Sequence, residues 1–432
     1  MKTKIMKLLK RPFVRNVMIM ATGTAAAQAV SLVLSPIITR LYGPEAYGLM
    51  GVFMAIVAIV GPIAALTYPI AIVLPKEDKD AKGIAKLSLV ISTCFAILAC
   101  LLLLIFKDPI VKLFNMEPVA PFVLLIPVVI LFAGIFQVTE QWLIRTKQFR
   151  VSARVAFVQA LLLQGGKAGI GFFHPVASVL IVLTAIGEGV RAGLMMLFAR
   201  KSLNFSTADL KDKSVDMKTL AKSHRDFPMY RAPQVLLNAV SQNIPVLMLT
   251  TFFGPAAAGF YAIGRTVLSM PTQLIGKSVG DVFYPRISEA SNNQENLTRL
   301  IRKATFSLGA IGFVPFALVV AFGPWLFSFV FGAEWHVAGE YARWMALWVY
   351  FMFVNQPSVK AFPVLAKQGF HLSFTIITLI LRTSALFIGY YMFNSDLVAV
   401  ALFGIVGAIL NILLIVFALR FSSKFDKERG VE

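Results

Sequence analysis

Apolar runs long enough to cross a bilayer recur from one end of this chain to the other, and no other feature narrows the fold so far. A helix rises about 1.5 Å per residue, so roughly 20 apolar residues match the hydrocarbon layer. The runs fall at residues 14–39, 46–73, 84–106, 118–145, 151–172, 176–199, 228–252, 257–284, 304–331, 338–365, 370–393 and 396–420. They read as an all-α integral membrane protein with 12 transmembrane helices. A chain that is 58% apolar and 14% charged is not a soluble globule.

The net charge of +20 points to nucleic acid only if the cations cluster on one surface. Instead they sit between the apolar runs. Lys2, Lys4, Lys7, Lys10, Arg11 and Arg15 precede the first run, and the segments 74–86, 145–154, 200–225, 285–303 and the tail carry most of the rest. Arg40, Lys107 and Lys112 lie on the opposite side. This asymmetry obeys the positive-inside rule and places both termini in the cytoplasm, with no polyanionic partner required. The basic start resembles a signal peptide, but the run after it is too long and lacks a cleavage site, so it reads as an uncleaved first span. Cys94 and Cys100 have no disulfide or zinc spacing, and His174, His224, His336 and His371 are scattered. No P-loop, dinucleotide motif or nucleophile–base pair is present, so no cofactor, metal or enzymatic chemistry is expected.

The chain also repeats itself. TRLYGPEAYGLMG at 39–51 aligns with TTFFGPAAAGFYA at 250–262, superposing Gly43-Pro44 on Gly254-Pro255. FKDPIVKLF, with Pro109, is echoed by FGPWLFSFVF, with Pro324, at the end of the third helix of each half. Signatures in corresponding positions of two halves mark an internally repeated transporter. The expected organisation is a six-helix bundle at 1–199, a polar cytoplasmic linker at 200–227 and a second, pseudo-symmetric six-helix bundle at 228–432 around a central cavity.

Polar residues inside the runs are the candidate site. On the eighth run Arg265, Ser269, Thr272, Gln273 and Gly276 share a face. Arg265 has no acid at i±3 or i±4. It therefore meets either an anionic ligand, for which its planar fork suits phosphate, or an acid on another helix. Lys277 and Asp281 are i, i+4 and can satisfy one another. The first run carries Thr24, Gln28, Ser31, Ser35 and Thr39 along one side, and the seventh carries Arg231, Gln234, Asn238 and Gln242. These stripes line a cleft or bond neighbouring helices. Arg382 and Lys167 stand in later and earlier runs without a local acid. Glu140 is a candidate proton or sodium site. Glu188–Arg191 and Glu340–Arg343 read as structural i, i+3 pairs.

The stretches SPIITRLYGPEAYGL, YPIAIVLPKEDKDA, FFGPAAAGFYAIGRTVLSMPTQLIGKSVGDVFYPRISEA and FGAEWHVAGEYARWMA resemble the polysaccharide-transporter branch of the multidrug/oligosaccharidyl-lipid/polysaccharide exporter superfamily, over most of the chain. The resemblance implies two six-helix lobes in alternating access in a bacterial inner membrane. It also implies a cargo of oligosaccharide on a polyprenyl pyrophosphate, for O-antigen, capsule or exopolysaccharide. Arg265 matches the cavity arginine of the family's eighth helix. The substrate-binding expectation is Arg265, Arg231, Arg382, Gln28, Gln242, Gln273 and Lys277, with Glu140 and Asp281 as coupling-ion candidates for a proton or sodium. The related lipid II flippases carry basic residues deep in their first helix and two further helices, and this sequence departs from both. A cation-coupled drug exporter would place acids rather than cations in the cleft. A membrane polysaccharide enzyme would need a large outer loop, and the outer loops here are short.

Overall fold

The structure, a computed structural model, describes the backbone of residues 12–203, 217–272 and 277–431, and the side chains of 22–199, 217–270, 272 and 283–431. Gln273 lies outside the described residues, as do the side chains of Lys277 and Asp281. The regular elements among the described residues are all helical, with no strand. Eight helical stretches among them are long and apolar enough to cross a membrane, so this is a multi-pass membrane protein. Three expected runs fall outside that set for local reasons. The helix at Phe149–Gly171 carries Arg150, Arg154 and Lys167. The helix begun at Pro255 is described as α-helix only to Pro271, and the helix His336–Val354 carries Glu340 and Arg343.

The chain divides into two compact units, Met1–Leu247 and Met248–Glu432. In the first, α1 (Pro12–Val60) turns sharply at Gly43. It is followed by α2 (Asp78–Leu113), α3 (Ile126–Arg145), α4 (Phe149–Gly171), α5 (Ala177–Leu203) and the short α6 (Met217–Ser223). Then α7 (Ala232–Phe253) runs from the first unit into the second. The second unit continues with α8 (Pro255–Pro271), α9 (Lys277–Asn292), α10 (Leu297–Phe331), α11 (His336–Val354), α12 (Gln356–Ala361), α13 (Gln368–Phe393) and α14 (Asp396–Glu428).

The packing order repeats. In unit 1, α2 lies on α3, α3 on α5 and α4 on α5; in unit 2, α10 lies on α11, α11 on α14 and α13 on α14. The repeated Gly-Pro adopts the same conformation in both. Gly43 has φ 68° and ψ 174°, and Gly254 has φ 87° and ψ 172°. That region is open essentially to glycine alone. A methyl on Gly254 would meet nothing within 4 Å, so the demand is conformational rather than steric. The proline that follows starts the next helix, where its missing N–H is not needed. Close crossings elsewhere rely on small residues: a methyl on Gly339 would lie 2.4 Å from the Gly323 carbonyl oxygen, where α10 meets α11.

The expected second run, 46–73, is not one helix. It unwinds after Val60 through Gly61-Pro62 into short 3₁₀ turns, Gly61–Ile63 and Tyr68–Val73. Unwound backbone is tolerated at membrane depth only when its polar groups are met. Here Gln137 Nε2 donates to Gly61 O at 2.8 Å. Arg145 donates to Pro75 O at 2.7 Å and Ile72 O at 3.1 Å, and also binds Asp78 at 2.9 Å. Unit 2 ties its own ends together differently. Buried Asp426, near the end of α14, accepts from the N–H groups of Leu297 and Thr298 (3.1 and 2.8 Å) and from the Thr298 hydroxyl (2.6 Å), capping the start of α10.

Two outcomes follow for thermal unfolding of the purified protein in detergent. Asp426→Ala leaves the first N–H groups of α10 unmet and should cost about 2 kcal/mol. Gly254→Ala, despite open space around it, should cost about 1–3 kcal/mol through backbone strain, whereas Gly264→Ala, with helical geometry and neighbours at 3.6 Å or more, should cost less than half as much.

Candidate functional site

In unit 2 the cations meet around one tyrosine. Tyr261 on α8 is 1% exposed, and half-buried Arg265 follows one turn later. Arg265 and Arg382 lie within electrostatic range of each other and of the Tyr261 phenol. Arg382, on α13, sits in the corner between two aromatic rings. Its guanidinium carbon sits 3.7 Å from the ring centre of Trp348 on α11 and 3.8 Å from that of Phe403 on α14. The two rings meet edge to face at 5.6 Å, and Phe403 also touches Tyr261 at 6.3 Å. Gly407 makes the room, because a methyl there would lie 2.8 Å from Trp348 Cδ1 and 3.2 Å from Arg382 Nε.

The magnitudes separate the two arginines. A guanidinium in a helix at bilayer depth costs about 2.5–3.5 kcal/mol, and a desolvated cation–π contact returns about 2 kcal/mol. Two faces therefore offset most of the cost of Arg382 with no ligand present. Its Nε and Nη2 are nonetheless sealed from solvent with no hydrogen-bond partner among the described residues. Arg265 is half-buried one turn beyond Tyr261. Thr272 has a buried hydroxyl without a partner among the described residues.

Unit 1 distributes its charge otherwise. The unwound stretch lines a cavity of about 450 Å³ together with Gln137 and Gln141 of α3 and Glu188 and Arg191 of α5. Arg191 stands 3.9 Å from Glu188 and 3.7 Å above the Phe136 ring. Half-buried Glu140 lies within electrostatic range of Arg191, and buried Lys167 within range of Glu188. Lys167 Nζ donates only a long contact, 3.5 Å, to Met50 Sδ. The i, i+3 expectation thus holds for Glu188–Arg191. It fails for Glu340–Arg343: Arg343 Nε donates to Val320 O at 2.7 Å, because α10 crosses within reach, and Glu340 faces His336 at 3.8 Å.

The polar stripes also differ. On the α7 side Arg231, Gln234, Asn238 and Gln242 are all exposed, with Gln242 Nε2 donating to Asn238 Oδ1 at 3.3 Å. Arg231 closes a π-turn, Phe227–Arg231, that leads into the helix. On α1, Gln28 is half-buried, while the Ser31 and Thr39 hydroxyls return to carbonyls of their own helix.

Comparison with known proteins fixes the family. Residues 37–340 match the model of a family described as polysaccharide biosynthesis protein, well over half of the chain. The chain belongs to that family. Within reach of it lies the succinoglycan biosynthesis transport protein ExoT of Rhizobium meliloti (strain 1021), 22% identical over 339 residues. That match covers 76% of this chain and 63% of ExoT, so the chain spans less than two thirds of that relative's length. Among solved structures, the lipid II flippase MurJ in an inward closed conformation superposes with a TM-score of 0.70 at 13% identity, covering 93% of this chain and 87% of MurJ. An inward-facing multidrug resistance MATE transporter of the MOP superfamily gives 0.67 at 14%, covering 94% and 99%. The chain therefore shares the fold of these transporters. The resemblance drawn from the sequence holds at that level.

Trp348 and Phe403 carry no sequence signal: they lie on different runs from Arg382, and aromatic residues abound in apolar helices. Their role is measurable by a double-mutant cycle. Trp348→Leu should lower stability by about 2 kcal/mol in the native background and by much less in an Arg382→Leu background, because the cation that needs the ring is then gone.

Proposed function

We propose that the chain is a flippase that moves an oligosaccharide repeat unit on a polyprenyl pyrophosphate from the cytoplasmic to the outer leaflet by alternating access, for O-antigen, capsule or exopolysaccharide synthesis. Membership in a polysaccharide biosynthesis family supports the cargo class. The paired guanidiniums of Arg265 and Arg382 around Tyr261 carry the reading, since they are what a diphosphate needs on leaving water. Arg382 sets a positive potential from within its aromatic box, and Arg265 makes the direct contact. Arg231, Gln242 and Gln28, with Gln273 and Lys277, pass the sugars.

An exposed polar stripe on an otherwise apolar helix supports this route. Side chains such as Gln234 and Asn238 are costly against lipid and suit a wet path. Coupling to a proton or sodium falls to Glu140, beside Arg191, and to Asp281. The arrangement we infer is twelve spans in two six-helix bundles, in a bacterial inner membrane, with both termini cytoplasmic.

The test uses a cell whose surface polysaccharide depends on this protein. Arg265→Ala should reduce display at least tenfold at unchanged membrane abundance, and Arg265→Lys should recover part of it, because a point charge replaces the bidentate fork. Full display by Arg265→Ala would count against the site.

A further inference from the structure

Two consecutive non-glycine residues of unit 1 hold strained backbone. Leu66 and Thr67 both sit in the left-handed region, at φ 48° and 59°. A β-branched residue there is an outlier, and Thr67 is 2% exposed, so its surroundings impose the conformation. Thr67 lines the unit 1 cavity. Its hydroxyl donates to the carbonyl of Phe227 at 3.0 Å, and the neighbouring Tyr68 hydroxyl donates to the carbonyl of Ala221 at 3.1 Å. Both acceptors belong to the segment that runs from α6 through the π-turn into α7. Leu220 and Phe227 of that segment pack against the core formed by Ala71, Ile72, Ile84 and Trp142.

We propose that residues 217–231 form a strap that sets the mouth of the unit 1 cavity, with Thr67 as its catch. Three features converge on the one contact: a strained pair on the cavity wall, a π-turn on the strap, and hydroxyl bonds joining them. π-Turns concentrate at functional sites because the surplus residue can be taken up or released along the helix. Letting go of Phe227 O allows Leu66 and Thr67 to relax to ordinary dihedrals. Relief of strain then opposes the lost bonds, which is how two settings come to lie close in free energy. The strap continues directly into the stripe of Arg231, Gln234, Asn238 and Gln242, so the setting of the catch is also the setting of the base of α7. Thr67 acts here as a positioning residue. The inference rests on unit 1 alone and holds whatever the cargo.

The experiment uses the full chain in lipid nanodiscs, with Cys94→Ser and Cys100→Ser and a reporter Gln141→Cys on the cavity wall. Two readouts are taken: the rate of labelling by a water-soluble maleimide, and hydrogen exchange of amides 220–231. Thr67→Val keeps the shape and removes the donor; it should raise both rates at least tenfold. Thr67→Ser keeps the donor and should leave both within about twofold of the parent, an order of magnitude apart from the valine variant. Tyr68→Phe removes the second bond without altering volume and should raise exchange in the same direction, which keeps the test intact if Thr67→Val folds poorly. Unchanged labelling and exchange in a folded Thr67→Val or Tyr68→Phe protein would overturn the strap, leaving packing of Leu220 and Phe227 as the whole attachment. Labelling readouts contain no transport step, so failure here is separable from failure of the flippase reading.

Discussion

Every polar group that a chain carries to bilayer depth must be met from within the protein, and this one demand organises the molecule. Regular helix meets it without help. The departures from helix are where specific side chains are enlisted. Gln137 reaches the Gly61 carbonyl and Arg145 gathers the carbonyls of Ile72 and Pro75, so the second run can unwind and still line a cavity. In unit 2 the junction between α11 and α12 is held the same way: Asn411 Nδ2 donates to Gly407 O at 2.7 Å, which turns its oxygen toward the Asn355 amide. An arginine or asparagine in such a place is read first as a supplier of missing partners, and as a ligand contact only for what is left over.

Charge obeys the same demand by two routes. Unit 1 neutralises: Arg191 has Glu188 and a phenyl face, Arg145 has Asp78, and Lys167 lies near Glu188. Unit 2 wraps: Arg382 has Trp348 and Phe403, with no acid among the described groups that act on it. A quadrupole lowers the cost of a cation without cancelling its charge. Arg382 therefore keeps its charge within electrostatic range of Tyr261.

Much of the architecture was legible in advance because its causes are local. Periodic apolar runs imply spans, and Gly43-Pro44 and Gly254-Pro255 imply the same corner in each half, since the conformation they adopt excludes other residues. Pro62 was present in the sequence too, yet the run around it is so apolar that hydropathy alone reads straight through the break. The candidate site was legible only as residue types. Arg265 stood out for lacking a helical acid, but nothing near Arg382 in sequence announces the rings that enclose it, 34 residues before and 21 after. The Arg343–Val320 contact, which displaces the expected pair with Glu340, likewise depends on a helix crossing that no spacing rule encodes.

The duplicated plan makes the contrast between the halves informative. Both units place a Gly-Pro corner before an inner helix and repeat the packing order of the helices that follow, so backbone geometry is held in common. What differs is how interior cations are accommodated. A neutralised interior with an unwound, side-chain-patched wall can change shape at little electrostatic cost, because no net charge has to move through low dielectric. An interior that keeps a guanidinium against aromatic rings instead holds its charge in place through packing. The two halves are thus alike in fold and unlike in how each accommodates its cations.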